Sequence, residues 1–345
     1  MAVMISGPKE ARNKKKMGKG GIAVLCAAGT ALVASAAFLF LGLSEYKDMR
    51  DMVLTWTELA AVASEEDPDA PDEFIETDGT GTVTAQSQQM SALKETDYLY
   101  KPINLKALRE INPDVSGYIY IPGSRVDYPI LKETVPEQYF YINHNMYKEY
   151  DQYGSIFELC DEERGEPGID NPITWLFGHH MNSGAMFATL YNYEDPAFYD
   201  TPVYVYRDDY RSEYKAVGYC HVDQHDRSYA FDAYDRDSED YAALLDYLKE
   251  NSKMEGDRGW PEDDEDILIM STCYGRSGTS WRMILICTEQ RRAMVPEYYE
   301  SLQEVDQYGG DETPIEKPSD GDDEPLVPSM GGMLQDGAAG EDGEG

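Results

Sequence analysis

Through the middle of the chain, apolar and polar positions alternate in short runs, the pattern of half-buried β-strands. Val115 to Ile121 alternates and stops at Pro122-Gly123, and Val126 to Leu131 resumes after a tight turn, as a hairpin does. Further strands are expected at Ser155 to Leu159, Ile173 to Phe177, Val203 to Tyr206, Tyr214 to Val222, Ile267 to Thr272 and Trp281 to Thr288. Helical spacing is confined to a few segments. Leu105 to Ile111 reads as a short helix ended by Asn112-Pro113, and Ala185 to Tyr191 as another. Ser238 to Asn251 places Tyr241, Leu244, Leu245 and Leu248 on one face, with Ser238 as N-cap. Many short strands and few helices predict a mainly β protein, a barrel or sandwich, and not a parallel α/β sheet.

The N-terminal third differs. Gly21 to Leu43 is uncharged and apolar, long enough to cross the roughly 30 Å hydrocarbon core as one transmembrane helix. Lys9, Arg12, Lys14, Lys15, Lys16 and Lys19 precede it, and Glu45, Asp48 and Asp51 follow. This bias predicts a basic cytoplasmic tail over 1–20 and a C-terminal domain on the extracellular side of the cell membrane. The competing reading is a cleaved signal peptide, because Ala34-Ser35-Ala36-Ala37 offers small residues. The unbroken run Phe38-Leu39-Phe40-Leu41 favours the single-pass anchor. Residues 44–95 then read as a juxtamembrane helix, with Trp56 and Leu59 on its apolar face, followed by an acidic flexible stalk. The folded domain is expected over 96–306, and 307–345 as an acidic disordered tail.

The formal net charge of −37 over 345 residues makes nucleic acid a poor partner. Five scattered cysteines do not form a disulfide framework, and no Cys-x-x-Cys pair points to zinc. Cys26 falls in the apolar span; Cys160, Cys220 and Cys287 sit among apolar or strand-like neighbours and read as small buried hydrophobes. Cys273 differs. It ends the strand-like run Ile267 to Thr272 and is followed, on the next strand, by Arg282. A thiolate at a strand tip, a cation beside it and a histidine elsewhere are what thiol acyl transfer requires. The histidine comes from Phe177-Gly178-His179-His180-Met181. His221 follows Cys220 in a strand, on the opposite face, so the two do not form a dyad.

Several segments, in order, carry a family resemblance. They are Ile111-Asn112-Pro113-Asp114, Gly117 to Gly123, Val126-Asp127-Tyr128-Pro129-Ile130, Tyr141-Ile142-Asn143-His144, Gly154-Ser155-Ile156-Phe157, Gly178 to Phe187, and Ser271-Thr272-Cys273. Over roughly Thr96 to Glu289 the chain resembles a class B sortase, a membrane-anchored cysteine transpeptidase of Gram-positive bacteria. The resemblance implies an eight-stranded sortase-type β-barrel with peripheral helices, and assigns catalysis to Cys273, His179 and Arg282. The family usually has Asn where His180 stands, and Arg276 is a second arginine between Cys273 and Arg282. Arg276 lies in a turn-like stretch, whereas Arg282, Ile284 and Ile286 share one strand face.

The implied reaction uses no cofactor and no metal. Cys273 attacks a carbonyl in the sorting signal of a secreted protein, and an amine of a peptidoglycan precursor or a pilin resolves the thioester. Family substrates resemble an Asn-Pro-x-Thr-x pentapeptide. Ser271, Thr272 and the loop between Val222 and Ser238 are the candidates for holding it. With ordinary pKa values, on the order of 1% of molecules would carry thiolate and imidazolium together at pH 7, so a slow enzyme is expected. Two alternatives use the same residues differently: a cysteine endopeptidase with water as acceptor, and a non-catalytic cell-surface scaffold.

Overall fold

The computed structural model describes residues 47–133 apart from 48, 49, 53, 66, 69, 72 and 90–96, together with 139–158, 173–225, 239–261, 267–275 and 278–308. Residues 1–46, with the apolar span 21–43 and Cys26, lie outside them, as do Cys160, Ser238, Arg276 and the tail from 309. Among the described residues no helix is long and apolar enough to cross a membrane.

Among the described residues ten strands form one sheet: β1 (Glu73–Asp78), β2 (Val83–Gln89), β3 (Val115–Tyr120), β4 (Asp127–Lys132), β5 (Ile156–Glu158), β6 (Ile173–Phe177), β7 (Val203–Tyr206), β8 (Tyr210–Asp223), β9 (Ile267–Cys273) and β10 (Trp281–Met294). Their order is β2-β1-β10-β8-β7-β3-β4-β5-β6-β9, and β9 also pairs with β10. That last pairing closes β10, β8, β7, β3, β4, β5, β6 and β9 into an eight-stranded barrel. The sheet is mostly antiparallel, with parallel pairs at β4–β5 and β6–β9. Both faces of its strands bury apolar side chains, inside the barrel and under the surrounding elements: Ile119, Ile130, Leu176, Leu268, Ile269, Met270, Ile284 and Leu285 are fully buried.

Helices sit around the barrel. The chain is helical over 55–63, where buried Trp56 packs edge-on against Tyr128 at 5.1 Å. Helix α1 (Leu105–Ile111) begins at Asn104, whose side chain accepts the Ala107 N–H, so Asn104 supplies the N-cap. Helix α2 (Glu239–Asn251) buries Tyr241, Leu244, Leu245 and Leu248, as its periodicity predicts. Helix α3 (Pro296–Tyr308) follows β10 directly.

Two expectations are corrected. The acidic stretch read as a flexible stalk contains the β1–β2 hairpin. The reason lies at the other end of the chain: β10 runs past the barrel to Met294, and β1 pairs with that overhang from Ile75↔Met294 to Asp78↔Arg291. Without that partner the segment is too polar to fold, but on it Phe74 becomes buried against Tyr100. The second correction is the helix expected over Ala185 to Tyr191, which is a 3-10 helix over Phe187–Glu194. Met186 takes a positive φ of 53°, which starts the helix two residues late.

One buried ion pair joins the end of β5 to the turn after β7. Arg207 forks onto Glu158 through two 2.8 Å bonds, with both side chains under 10% exposed, and donates to the Ser116 carbonyl. Removing one partner leaves a charge in a dry site. Glu158→Ala is therefore expected to destabilise the domain by about 3–5 kcal/mol in urea unfolding, and the double change to Arg207→Met with Glu158→Leu to recover much of it. A cost under about 1 kcal/mol for the single variant would mean the pair is solvated.

Candidate active site

The site grows from the barrel seam. Antiparallel pairing of β9 with β10 sets Cys273 directly opposite Arg282, so the thiol and guanidinium start from the same face of the sheet. Strand β6 runs parallel to β9 with Phe177 beside Ser271, and the Gly178 N–H donates to the Ser271 carbonyl at 3.2 Å. His179 follows immediately. His179, Ser271, Thr272, Cys273 and Arg282 thus line one pocket with Ile142, Ser155, Phe157, Phe177 and Gly178. All five residues expected from the sequence are brought together.

Glycine at 178 is a packing requirement. A Cβ there would stand 2.5 Å from Ile156 Cδ1 and 2.8 Å from the Phe187 ring. The His179 ring is oriented by its Nε2–H, which donates to the Ile142 carbonyl at 2.6 Å. That carbonyl belongs to the 3-10 turn Phe140–Ile142. The bond assigns the proton to Nε2 and leaves Nδ1 as the atom that exchanges one. Burial lowers the His179 pKa; the Ile142 carbonyl opposes this, the Arg282 charge adds to it, and Asp151 opposes it weakly.

Arg282 is 3% exposed. It donates to the Thr279 carbonyl at 2.7 Å, to the Trp281 carbonyl at 2.9 Å, and to the Gln224 side-chain oxygen. All three acceptors are neutral. Among the described residues no carboxylate pairs with this guanidinium, so its positive charge is held in place by dipoles and stays uncompensated beside the thiol. Ser271 shares the Cys273 face, whereas Thr272 points to the other, where its hydroxyl is buried without a hydrogen-bond partner among the described residues.

No protein-family model matches the chain. Sortase B of Staphylococcus aureus (strain NCTC 8325 / PS 47) is 28% identical over 203 residues, which is 58% of this chain and 80% of that protein. Sortase B of Listeria monocytogenes serovar 1/2a is 34% identical over 94 residues, 27% of this chain and 36% of the relative. The barrel also superposes on two solved Bacillus anthracis structures. One is sortase B, with a TM-score of 0.50 at 18% identity, covering 71% of this chain and 99% of that one. The other is described as similar to sortase B, with a TM-score of 0.51 at 19% identity, covering 70% and 97%. The structural likeness establishes the fold, and the curated relatives supply the sequence link. The chain is similar in sequence and in fold to the class B sortases.

In this chain the doubled histidine is separated by geometry. His180 lies outside the pocket's lining and packs edge-on against Tyr191 at 4.2 Å. His144 stacks on Phe140 at 3.7 Å and bonds its carbonyl, a structural placement. His221 is engaged by Glu194 at 2.9 Å and Lys253 at 2.6 Å, and stacks on Tyr274 at 3.6 Å. Burial pushes the Cys220 thiol up to about 12 and raises that of Cys287 as well. Two residues near the site escape sequence reasoning. Gln224 looks like any loop glutamine, although it falls in the loop after Val222 named as a groove candidate. Tyr191 sits in an expected helix, with no periodicity to mark its hydroxyl.

Behind the His179 turn lies Glu133, 2% exposed, which accepts the Tyr141 N–H at 3.5 Å. Burial pushes its pKa up to about 7 from 4.5. The folded protein therefore binds more protons than the unfolded chain between those values, so this contribution is full below pH 4.5 and lost as pH rises through about 7. Glu133→Gln is expected to stabilise the protein by about 2 kcal/mol at pH 8 and by almost nothing at pH 4.5. Equal gains at both values would place the effect in packing. Separately, Gly178→Ala should overpack the His179 corner, lowering stability by about 1–3 kcal/mol and peptide cleavage with it; an unchanged Tm would show that Phe187 yields freely.

Proposed function

We propose that this sortase is a cysteine transpeptidase held at the extracellular face of the cell membrane by residues 21–43. It cleaves a sorting signal on secreted proteins and joins the new carboxyl end to an amine. The observation that carries this reading is the register placing Cys273 opposite Arg282, with His179 on the wall of the same pocket.

The Cys273 thiolate forms a bond to a backbone carbonyl carbon of the signal, and negative charge develops on the oxygen. Arg282, preset by neutral acceptors, stabilises the thiolate first and this oxyanion next. The C–N bond breaks as His179 delivers its Nδ1 proton to the departing amine, leaving a thioester on Cys273. An incoming amine attacks the thioester carbon, His179 takes up the proton it loses, and Cys273 leaves as thiolate. The pKa of His179 is lowered, so the imidazolium needed in the first half is scarce at neutral pH and the acylation step is slow. A peptidoglycan precursor or a pilin lysine supplies the amine. The substrate and both acceptors follow from family resemblance, and the geometry is compatible with them.

The test uses the full chain in detergent with fluorogenic Asn-Pro-x-Thr-x peptides, with and without a small amine, and intact mass of the enzyme. Acylated Cys273 and a switch from acid to amide product on adding amine are expected. Acid product regardless of amine would make the protein an endopeptidase. Absence of any adduct from a folded protein whose thiol alkylates would favour a surface scaffold. Cys273→Ala should abolish turnover, and Arg282→Ala should lower kcat by about 100-fold or more. In the same Arg282→Ala protein, NMR titration of His179 should show its pKa rising, since a nearby positive charge has been removed.

A further inference from the structure

The 3-10 helix Phe187–Glu194 touches both segments that carry the reacting side chains. At its start the Phe187 N–H donates to the His179 carbonyl at 3.0 Å. One turn later the Tyr191 hydroxyl donates to the Cys273 carbonyl at 3.0 Å and accepts the Gly275 N–H at 3.1 Å. A phenol has one proton to give, and here it goes to the strand tip; the oxygen's acceptor side then closes the turn beyond. We propose that Tyr191 is a positioning residue, locking the Cys273 backbone into the same rigid helix that holds His179. The inference rests on the reading of Cys273 as nucleophile and adds a residue to its machinery.

The surroundings fit that task. Burial raises the Tyr191 pKa, so the hydroxyl stays protonated and remains a donor through the working pH range. The ring is held by His180 edge-on at 4.2 Å and by Tyr274 at 5.6 Å. Gly275 adopts a φ of 86°, a turn conformation costly for other residues, and Tyr191 bonds its N–H. The helix itself starts from a strained residue. Met186 has φ 53° and donates its N–H to the Tyr128 hydroxyl at 3.2 Å, while pairing with His180. His180 thereby gains a role distinct from proton transfer, as the wall against which Tyr191 packs.

Loss of the hydroxyl frees the strand tip to move the thiol away from the Arg282 charge, so the thiolate becomes less favoured. The experiment compares full-length wild type, Tyr191→Phe and Tyr193→Phe. Tyr193 lies on the same helix, is fully buried and donates to the Thr201 carbonyl at 2.9 Å, away from the pocket, so it controls for loss of a buried phenol. The decisive readout is the pH dependence of iodoacetamide alkylation on the peptide carrying Cys273, with kcat and KM on a cleaved sorting peptide beside it. Tyr191→Phe is expected to raise the alkylation midpoint and lower kcat about tenfold or more with KM little changed. Tyr193→Phe should leave both at wild-type values. An unmoved alkylation profile in Tyr191→Phe, or an equal shift in Tyr193→Phe, overturns the proposal whatever kcat does. Should Tyr191→Phe fold poorly, 3-fluorotyrosine at 191 retains the hydroxyl and must retain the wild-type profile. If wild type cleaves no sorting peptide, the transpeptidase reading fails while the alkylation comparison still decides the role of Tyr191.

Discussion

The pairing of β9 with β10 is the constraint on which the molecule depends. The same ladder closes the barrel and sets Cys273 across from Arg282. A slip of one residue would turn Arg282 to the opposite face and break the closure together with the site. The parallel β6–β9 pair adds the third component, since Phe177 lies in register with Ser271 and delivers His179 just beyond. Cys273 and Arg282, from consecutive strands, and His179, from a strand end distant in sequence, thus meet through two strand pairings, and their placement inherits the rigidity of a closed sheet.

The electrostatics follow from what surrounds each group. Arg282 is solvated by peptide and amide oxygens in place of water, which keeps its charge directed and unneutralised. His179 is desolvated and sits in the field of that charge, which lowers its affinity for a proton. The cation across from Cys273 therefore disfavours the imidazolium. One charge thus sets opposite preferences at the two ends of the pocket.

Much of this was legible in the sequence because strand alternation is a local signal. The Val115–Ile121 and Val126–Leu131 hairpin, the Cys273 strand and the face shared by Arg282, Ile284 and Ile286 follow from period-2 patterning and a turn dipeptide. The β1–β2 hairpin was not legible, because what folds it is an overhang of β10 more than two hundred residues away, and its own residues are too polar to announce a strand. Nor was the 3-10 character of Phe187–Glu194, which depends on the backbone of Met186. Tyr191 was hidden for a related reason: its two hydrogen bonds reach across the fold to Cys273 and Gly275, and no spacing along the chain encodes them.

Strand β10 is divided between two tasks. Arg282 to Thr288 form the seam with β9, while Arg291 to Met294 carry the β1 hairpin, with β8 running alongside both halves. The β1 hairpin therefore hangs on a stretch of β10 that β9 does not touch. Fraying of that hairpin would cost the distal half its outer partner and leave the seam that sets Cys273 across from Arg282 paired as before.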